Sequence, residues 1–177
     1  EQLPDLHKTI GDATGYSEAF EGQLGFEVTR LVDPGTIEFL EALDGFLQSI
    51  EPGDEVAFIF SGHGWSDGAD NFLALRDAPL ESSEFALRRQ TVSLSNDVLA
   101  EIKARRPGLL FAIIDACQDN PFDTGTRSVT RGLSRLEIVP GTLVVYAAGA
   151  RQKALDRLGP EDDSPYSGFT RSLLPRL

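Results

Sequence analysis

The fold is decided by the stretch Leu109-Leu110-Phe111-Ala112-Ile113-Ile114-Asp115-Ala116-Cys117, an apolar run that ends in an aspartate and in the one cysteine of the chain. A second apolar run, Val56-Ala57-Phe58-Ile59-Phe60, leads in the same way into Ser61-Gly62-His63-Gly64. Near-continuous Val, Ile, Leu and Phe are typical of parallel strands that are buried on both faces of a sheet. Because open α/β sheets place their active sites at the carboxyl ends of such strands, we expect Cys117 and His63 to lie beside each other.

Helical patterns alternate with these strands along the chain. Helices are predicted over residues 13–24, 36–50 and 95–106, and a last helix opens at Ser164-Pro165. Further strands are predicted over residues 26–32 and 141–148, and a loop or short hairpin with Asp67-Gly68 as its turn over residues 65–75. Residues 82–89 lack periodicity and predict a loop over the site. We therefore expect one three-layer α/β domain over residues 1–177, with a mostly parallel central sheet and helices on both faces.

Charge and composition exclude several classes of partner. Sixteen basic and 28 acidic side chains give a formal net charge of −12, which repels the phosphates of nucleic acids and anionic lipids. No apolar run approaches the roughly 18 residues that a membrane span needs. A single cysteine excludes an internal disulfide framework, and we expect a cytoplasmic location. Because the sequence contains no Met, we expect it to begin inside a longer chain, where a targeting segment would not be visible.

A thiol and an imidazole at neighbouring strand ends are the two parts of a nucleophile–base pair. Each residue also has a simpler interpretation. A buried cysteine is often a small hydrophobe, and a histidine between two glycines can be a turn residue that bonds to a carbonyl. We predict no metal site, because the only other histidine, His7, lies in an undistinguished N-terminal segment. The Gly-x-Ser-x-Gly elbow of serine hydrolases does not match Ser61-Gly62-His63-Gly64.

A histidine roughly 50 residues before a cysteine is the spacing found in caspases. Together with that spacing, Ser61-Gly62-His63-Gly64 and Asp115-Ala116-Cys117-Gln118-Asp119-Asn120-Pro121-Phe122 make the chain resemble the caspase-like clan of cysteine peptidases, most closely its bacterial caspase-like and metacaspase domains. Weaker support comes from Gly11-Asp12-Ala13, Gly25-Phe26-Glu27-Val28, Arg131-Gly132-Leu133 and Ser164-Pro165-Tyr166. The similarity runs over nearly the whole chain and implies the three-layer caspase-like fold.

The resemblance implies a role for each residue at the two strand ends. Cys117 would attack the scissile carbonyl as a thiolate and form a thioester acyl-enzyme. His63 would shuttle protons and finally protonate the leaving amine. The backbone amides of Gly64 and Cys117 would form the oxyanion hole.

Substrate specificity is expected to depend on Asp115. Caspases proper carry glutamine two residues before the nucleophile and bind an acidic P1 side chain, whereas metacaspases carry aspartate there, as this sequence does. A carboxylate in the S1 pocket would pair with Arg or Lys and repel Asp or Glu. Asp12 is expected to be a second acid on that wall. The alternatives are a strand-end carboxylate that caps an amide, for Asp115, and the N-cap of the first helix, for Asp12.

The resemblance also raises expectations outside the two central motifs. Residues 121–135 are expected to be a mobile processing loop, with Arg127, Arg131 and Arg135 as autocleavage sites, although the same residues would also suit a solvated basic loop. An apolar first strand normally precedes the region that matches residues 1–13, so we expect that strand to exist as a missing or separate piece. Glu161-Asp162-Asp163 could bind calcium or be a plain acidic loop, and no other cofactor is expected.

The sequence thus predicts a cysteine endopeptidase that cleaves protein substrates after Arg, then Lys, through a Cys117–His63 dyad. Bacterial relatives cut gasdermin-like proteins in some cases, which makes such a protein a candidate substrate. Two alternatives remain open: a caspase-fold interaction or signalling module with an idle dyad, and a thiol redox sensor. The sensor needs only Cys117 and leaves His63 without a role.

Overall fold

The computed structural model describes residues 6–79, 83–117, 141–147, 159 and 161–177. Its helices are α1 (Thr9–Gly22), α2 (Thr36–Ser49), α3 (Glu84–Gln90), α4 (Ala100–Ala104) and α5 (Gly168–Leu173). A π-helical turn, Leu94–Leu99, leads into α4, and a 3-10 turn, Leu174–Arg176, follows α5. The strands are β1 (Glu55–Ser66), β2 (Asn71–Ala74), β3 (Val92–Ser93), β4 (Leu109–Cys117) and β5 (Thr142–Tyr146). They form one sheet in the order β3-β2-β1-β4-β5.

The centre of the sheet is the parallel pair of β1 and β4, which runs in register from Glu55 opposite Leu109 to His63 opposite Cys117. β5 is parallel to β4 on the far side, while β2 and β3 are antiparallel additions at the other end of the order. This mixed, mostly parallel sheet confirms the predicted fold class. The predicted hairpin is also present, because β1 turns at Asp67-Gly68 into β2.

Alternate residues of β4 face two separate apolar clusters, as expected for a strand covered on both faces. Leu110, Ala112 and Ile114 pack with residues of α2 and α4. Phe111 and Ile113 pack with residues of α1 and α5. The sheet is therefore the middle of three layers, with α2 and α4 on one face and α1 and α5 on the other.

Three helix starts differ from the predicted ones: α1 begins at Thr9 and not at residue 13, without a side-chain cap, whereas serine caps outside the apolar pattern set the starts of α3 and α5. Residues 82–89 were expected to be a loop, but α3 begins at Glu84, where the Ser83 hydroxyl accepts a hydrogen bond from the amide of Ala86. Only Leu87 is buried in this helix, so its sequence carries no periodicity. The last helix begins after Ser167, not at Ser164-Pro165, because the Ser167 hydroxyl accepts a hydrogen bond from the amide of Thr170.

The predicted strand over residues 26–32 is wrong. The segment forms no strand, and it pairs with no other strand in the part of the chain that is described. Residues 26–34 and residues 57–63 of β1 line the same groove of about 620 Å³. The alternating pattern of residues 26–32 is therefore not matched by backbone pairing to any described strand.

Within the sheet that the structure describes, much of the β1 edge that faces the groove has no partner strand. Among the described residues, β1 pairs with β2 only from His63 onward, so residues 55–62 have β4 on one side and no strand on the other. An open edge presents unpaired backbone N–H and C=O groups. The expectation of an additional first strand stays a prediction, and this groove is the place in the described sheet that would admit it.

Amide hydrogen exchange followed by NMR tests whether the edge is open in solution. In a parallel ladder, successive amides of a strand point alternately to its two neighbours. We expect every second amide between Val56 and Gly62 to exchange rapidly and the intervening amides, bonded to β4, to exchange slowly. Leu110 to Ile114 of β4, which pair with strands on both sides, serve as the internal control and should be uniformly slow. Uniformly slow exchange along β1 would mean that another segment covers this edge.

Candidate active site

The backbone of His63 is held by strand pairing on both sides. His63 lies opposite Cys117 of β4 and opposite Ala74 of β2. Neighbouring strands are about 4.8 Å apart, so the two candidate catalytic residues occupy adjacent backbone positions, as the sequence predicts. The Cys117 side chain lies outside the described part of the structure, and the His63 side chain is half-buried.

The alternative interpretation of His63 as a turn residue does not fit the structure. β1 continues through Gly62 and Gly64 to Ser66, and neither glycine has a positive φ. A Cβ at position 62 would lie 2.7 Å from Cζ of Phe60, so the Phe60 ring would have to shift. Gly64 is buried in the strand opposite Leu73, and its place in an oxyanion hole stays a prediction.

The hairpin that carries His63 is anchored by buried contacts. Trp65 is fully buried and stacks on Phe72, with ring centroids 4.4 Å apart. Its indole N–H donates a hydrogen bond to the Thr91 hydroxyl at 3.1 Å. At the turn, the Asp70 carboxylate accepts hydrogen bonds from the hydroxyls of Ser93 and Ser95 and from the Asn96 amide at 3.1 Å. These bonds join the turn to the start of the π-helical turn and fix the end of the strand.

Two buried acids meet on the face of the sheet that α1 and α5 cover. Asp12 is 0% exposed and Asp115 is 4% exposed. The Asp12 carboxylate accepts hydrogen bonds from the Ser61 hydroxyl and from the Ser167 backbone amide, both at 2.8 Å. The Asp115 carboxylate accepts a hydrogen bond from the Ser167 hydroxyl at 2.6 Å. The structure therefore brings the two predicted S1 acids to one place, linked through Ser167.

The simpler interpretation of Asp12 as a helix N-cap does not fit this geometry. α1 begins at Thr9, its N-cap is Lys8, and no side chain caps it. Asp12 instead lies in the first turn, where its carboxylate points to Ser61 of β1 and to Ser167 before α5. Its contacts are with the site, not with the amides of its own helix.

Ser61 and Ser167 are site residues that the sequence interpretation missed as such. Ser61 belongs to the motif around His63 and lies opposite Asp115 in the β1–β4 register. Ser167 had a detectable signal, because serine immediately before an apolar-periodic segment is a helix N-cap pattern. The earlier Ser164-Pro165 pair drew the predicted helix start away from it.

The sequence of the chain was compared with models of known protein families. A family model described as the caspase domain matches residues 1–177. The chain belongs to the caspase domain family. A search of curated proteins gives no match. Membership supports a function of the cysteine peptidase type in general.

Several predicted features of this caspase domain lie outside the described residues. They include the loop over residues 121–135 and its three arginines, Arg127, Arg131 and Arg135. Within the described ranges, no group of three or more His, Cys, Asp or Glu side chains could hold a metal ion. Of the predicted calcium ligands, Asp162 instead forms an ion pair with Arg171 at 2.9 Å. No helix among the described residues is long and apolar enough to cross a membrane.

The electrostatic field of the two acids reaches Tyr16 on α1. Burial raises the pKa of Tyr16 to about 12, and the charges of Asp115 and Asp12 add to the rise. An unfolded chain titrates tyrosine near pH 10. The stability that comes from keeping Tyr16 protonated is therefore fully present below about pH 10 and is lost as the pH rises through about 12.

The substitution Tyr16→Phe tests whether the pKa of Tyr16 is raised in the folded protein. We expect the variant to lose less unfolding free energy than the wild type between about pH 10 and pH 12, because phenylalanine has no proton to release. Denaturant unfolding at a series of pH values measures the difference. Tyr146, whose pKa burial also raises to about 12, remains in both proteins and contributes equally. The same pH-dependent loss in both proteins would contradict the predicted role of Tyr16.

Proposed function

We propose that this caspase domain is a cysteine endopeptidase that cleaves protein substrates after Arg, then Lys, through a Cys117–His63 dyad. The observation that carries the proposal is the β1–β4 register. It sets His63 beside Cys117 and, two residues earlier on each strand, Ser61 beside Asp115. The two strands thus carry the proposed nucleophile, the proposed base and one of the two S1 acids, Asp115, while Asp12 comes from α1.

The proposed reaction uses the two strand ends directly. The Cys117 thiolate, formed as His63 takes the thiol proton, attacks the scissile carbonyl carbon. The backbone amides of Gly64 and Cys117 stabilise the oxyanion, each such donor contributing roughly 3 kcal/mol in measured cases. His63 then protonates the leaving amine, and a thioester remains. Water that gives a proton to His63 hydrolyses the thioester and releases the carboxylic acid product and the thiol.

The proposed preference for basic P1 residues rests on Asp12 and Asp115. Both carboxylates are buried, and the hydrogen bonds that Ser61 and Ser167 donate to them come from neutral groups. A P1 cation would add charge-assisted hydrogen bonds to carboxylates that these donors hold in place. A planar guanidinium can bond to a carboxylate through two parallel N–H groups, and the ammonium of Lys cannot, so Arg is placed first. A P1 carboxylate would be repelled.

Further properties follow only from the family resemblance and are proposed with the function. The domain is of the bacterial metacaspase type and acts in the cytoplasm. Autoprocessing at Arg127, Arg131 or Arg135 and a gasdermin-like substrate fit a preference for basic residues. Calcium activation through Glu161-Asp162-Asp163 would require Asp162 to give up its ion pair with Arg171.

Labelling by an arginyl chloromethyl ketone tests the dyad. We expect the wild type to be alkylated at Cys117 and Cys117→Ala not to be labelled. The labelling rate of His63→Ala should be at least about a hundred-fold lower than that of the wild type, which is the usual effect of losing a general base. His7→Ala removes the only other histidine and should react like the wild type. Equal labelling of His63→Ala and wild type would instead indicate a thiol that is reactive without a dyad, as a redox sensor needs. Absence of labelling in the wild type would favour a module with an idle dyad.

A panel of fluorogenic peptides that differ only at P1 tests whether Asp12 and Asp115 select a basic P1 side chain. We expect kcat/KM to fall in the order Arg, Lys, Gln, Asp. Asp115→Asn should lower kcat/KM for the Arg peptide by about a hundred-fold or more, because breaking a buried ion pair costs about 3 kcal/mol or more. Asp44→Asn, an exposed carboxylate on α2, is the matched control and should leave the order unchanged. Faster release after Asp than after Arg would overturn the proposed specificity.

A further inference from the structure

We propose that Ser167 is a positioning residue that sets the spacing and orientation of the two S1 carboxylates, and through them the discrimination of Arg from Lys. The inference rests on the proposed function, because it concerns the pocket that would bind the P1 side chain. Ser167 is the one described residue that hydrogen-bonds to both acids, through its hydroxyl to Asp115 and through its backbone amide to Asp12.

The hydroxyl of Ser167 has no freedom to rotate without losing a bond. Its Oγ accepts a hydrogen bond from the Thr170 amide at 3.1 Å, as the N-cap of α5. It donates its own proton to Oδ2 of Asp115 at 2.6 Å, the short distance that is usual for a charge-assisted O–H···O⁻ bond. Ser167 is 4% exposed, so water does not readily replace these bonds. The start of α5 therefore fixes one oxygen of Asp115.

The backbone amide of Ser167 is held by the segment that precedes it. Lys8, at the start of α1, is 4% exposed, and its ammonium donates hydrogen bonds to the carbonyls of Asp162 and Ser164. The Asp162 side chain in turn pairs with Arg171 of α5. These contacts tie residues 162–167 to α1 at one end and to α5 at the other.

Two glycines of α1 let this segment come close. A Cβ on Gly11 would lie 2.0 Å from the carbonyl oxygen of Pro165, and a Cβ on Gly15 would lie 2.7 Å from the Tyr166 ring. The carbonyl belongs to the backbone, so a side chain at position 11 would displace the segment. Because Asp12 follows Gly11, that displacement would pull the Ser167 amide away from the Asp12 carboxylate.

The consequence for binding is geometric. A guanidinium makes two parallel hydrogen bonds only to carboxylate oxygens that are held in fixed positions, whereas an ammonium tolerates several arrangements. Loosening Asp115 should therefore weaken Arg binding more than Lys binding. The chemistry at Cys117 and His63 should change less, since Ser167 contacts neither β1 nor β4 at those positions in the bonds described.

Kinetics of Ser167→Ala with Arg and Lys peptides test the proposal. We expect KM for the Arg peptide to rise about ten-fold, kcat to change by less than about three-fold, and the preference for Arg over Lys to shrink. Ser167→Thr keeps a hydroxyl and should restore most of the preference. Ser172→Ala removes an exposed hydroxyl on the same helix and should match the wild type. In an Asp115→Asn background, Ser167→Ala should add little, because its effect is transmitted through Asp115.

A second measurement does not require activity. The side-chain carboxyl carbon resonance of Asp115 should move in Ser167→Ala and stay in place in Ser172→Ala. If Ser167→Ala folds poorly, Ser167→Gly replaces it, since glycine at an N-cap costs only a few tenths of a kcal/mol. Unchanged KM, unchanged preference and an unmoved resonance would overturn the positioning role while leaving the peptidase proposal intact. Absence of cleavage after Arg in the wild type would overturn the proposed function, and the resonance would still decide whether Ser167 holds Asp115.

Discussion

The site depends on one constraint, the register in which β1 and β4 pair. Alternate residues of β4 pack into two apolar clusters: Ile114 packs on the side of α2 and Ile113 on the side of α1. A slip by one residue would reverse every side chain. It would then turn Asp115 toward the apolar cluster under α2, where a carboxylate without donors is costly. The hydrophobic pattern therefore enforces the register, and the register sets His63 opposite Cys117.

Burying two carboxylates together is unfavourable unless each receives hydrogen bonds. Here the donors come from elements that are far apart in sequence: Ser61 from β1 and Ser167 from the start of α5. Asp12 itself comes from α1 and Asp115 from β4. Four elements thus contribute to the pair of buried acids, Asp12 and Asp115. None of these polar groups is needed to complete the apolar core. Two buried carboxylates held together in this way support the proposal that the site binds a basic P1 side chain.

The sequence predicted what local periodicity and a specific motif can predict. The buried strands, the hairpin turn at Asp67-Gly68 and the pairing partners His63 and Cys117 all came from such patterns. It did not predict α3, whose single buried residue, Leu87, leaves no periodicity. It placed a strand at residues 26–32, because alternation reports a strand's pattern but not whether a neighbour is there to bond. The role of Ser167 depends on a contact across 155 positions with Asp12, which no local pattern contains.

His63 is also the point at which β1 changes from an edge strand to an interior one. Before it, residues 55–62 pair with β4 alone among the described strands, and from His63 onward β2 pairs on the second side. The stacking of Trp65 on Phe72 and the hydrogen bond from Asn96 to Asp70 then anchor the part of the hairpin that follows His63. The backbone at His63 is therefore restrained from both sides by residues that are themselves part of the described sheet. It follows that the placement of His63 beside Cys117 does not require the open groove to be filled, because the restraints begin where the open edge ends.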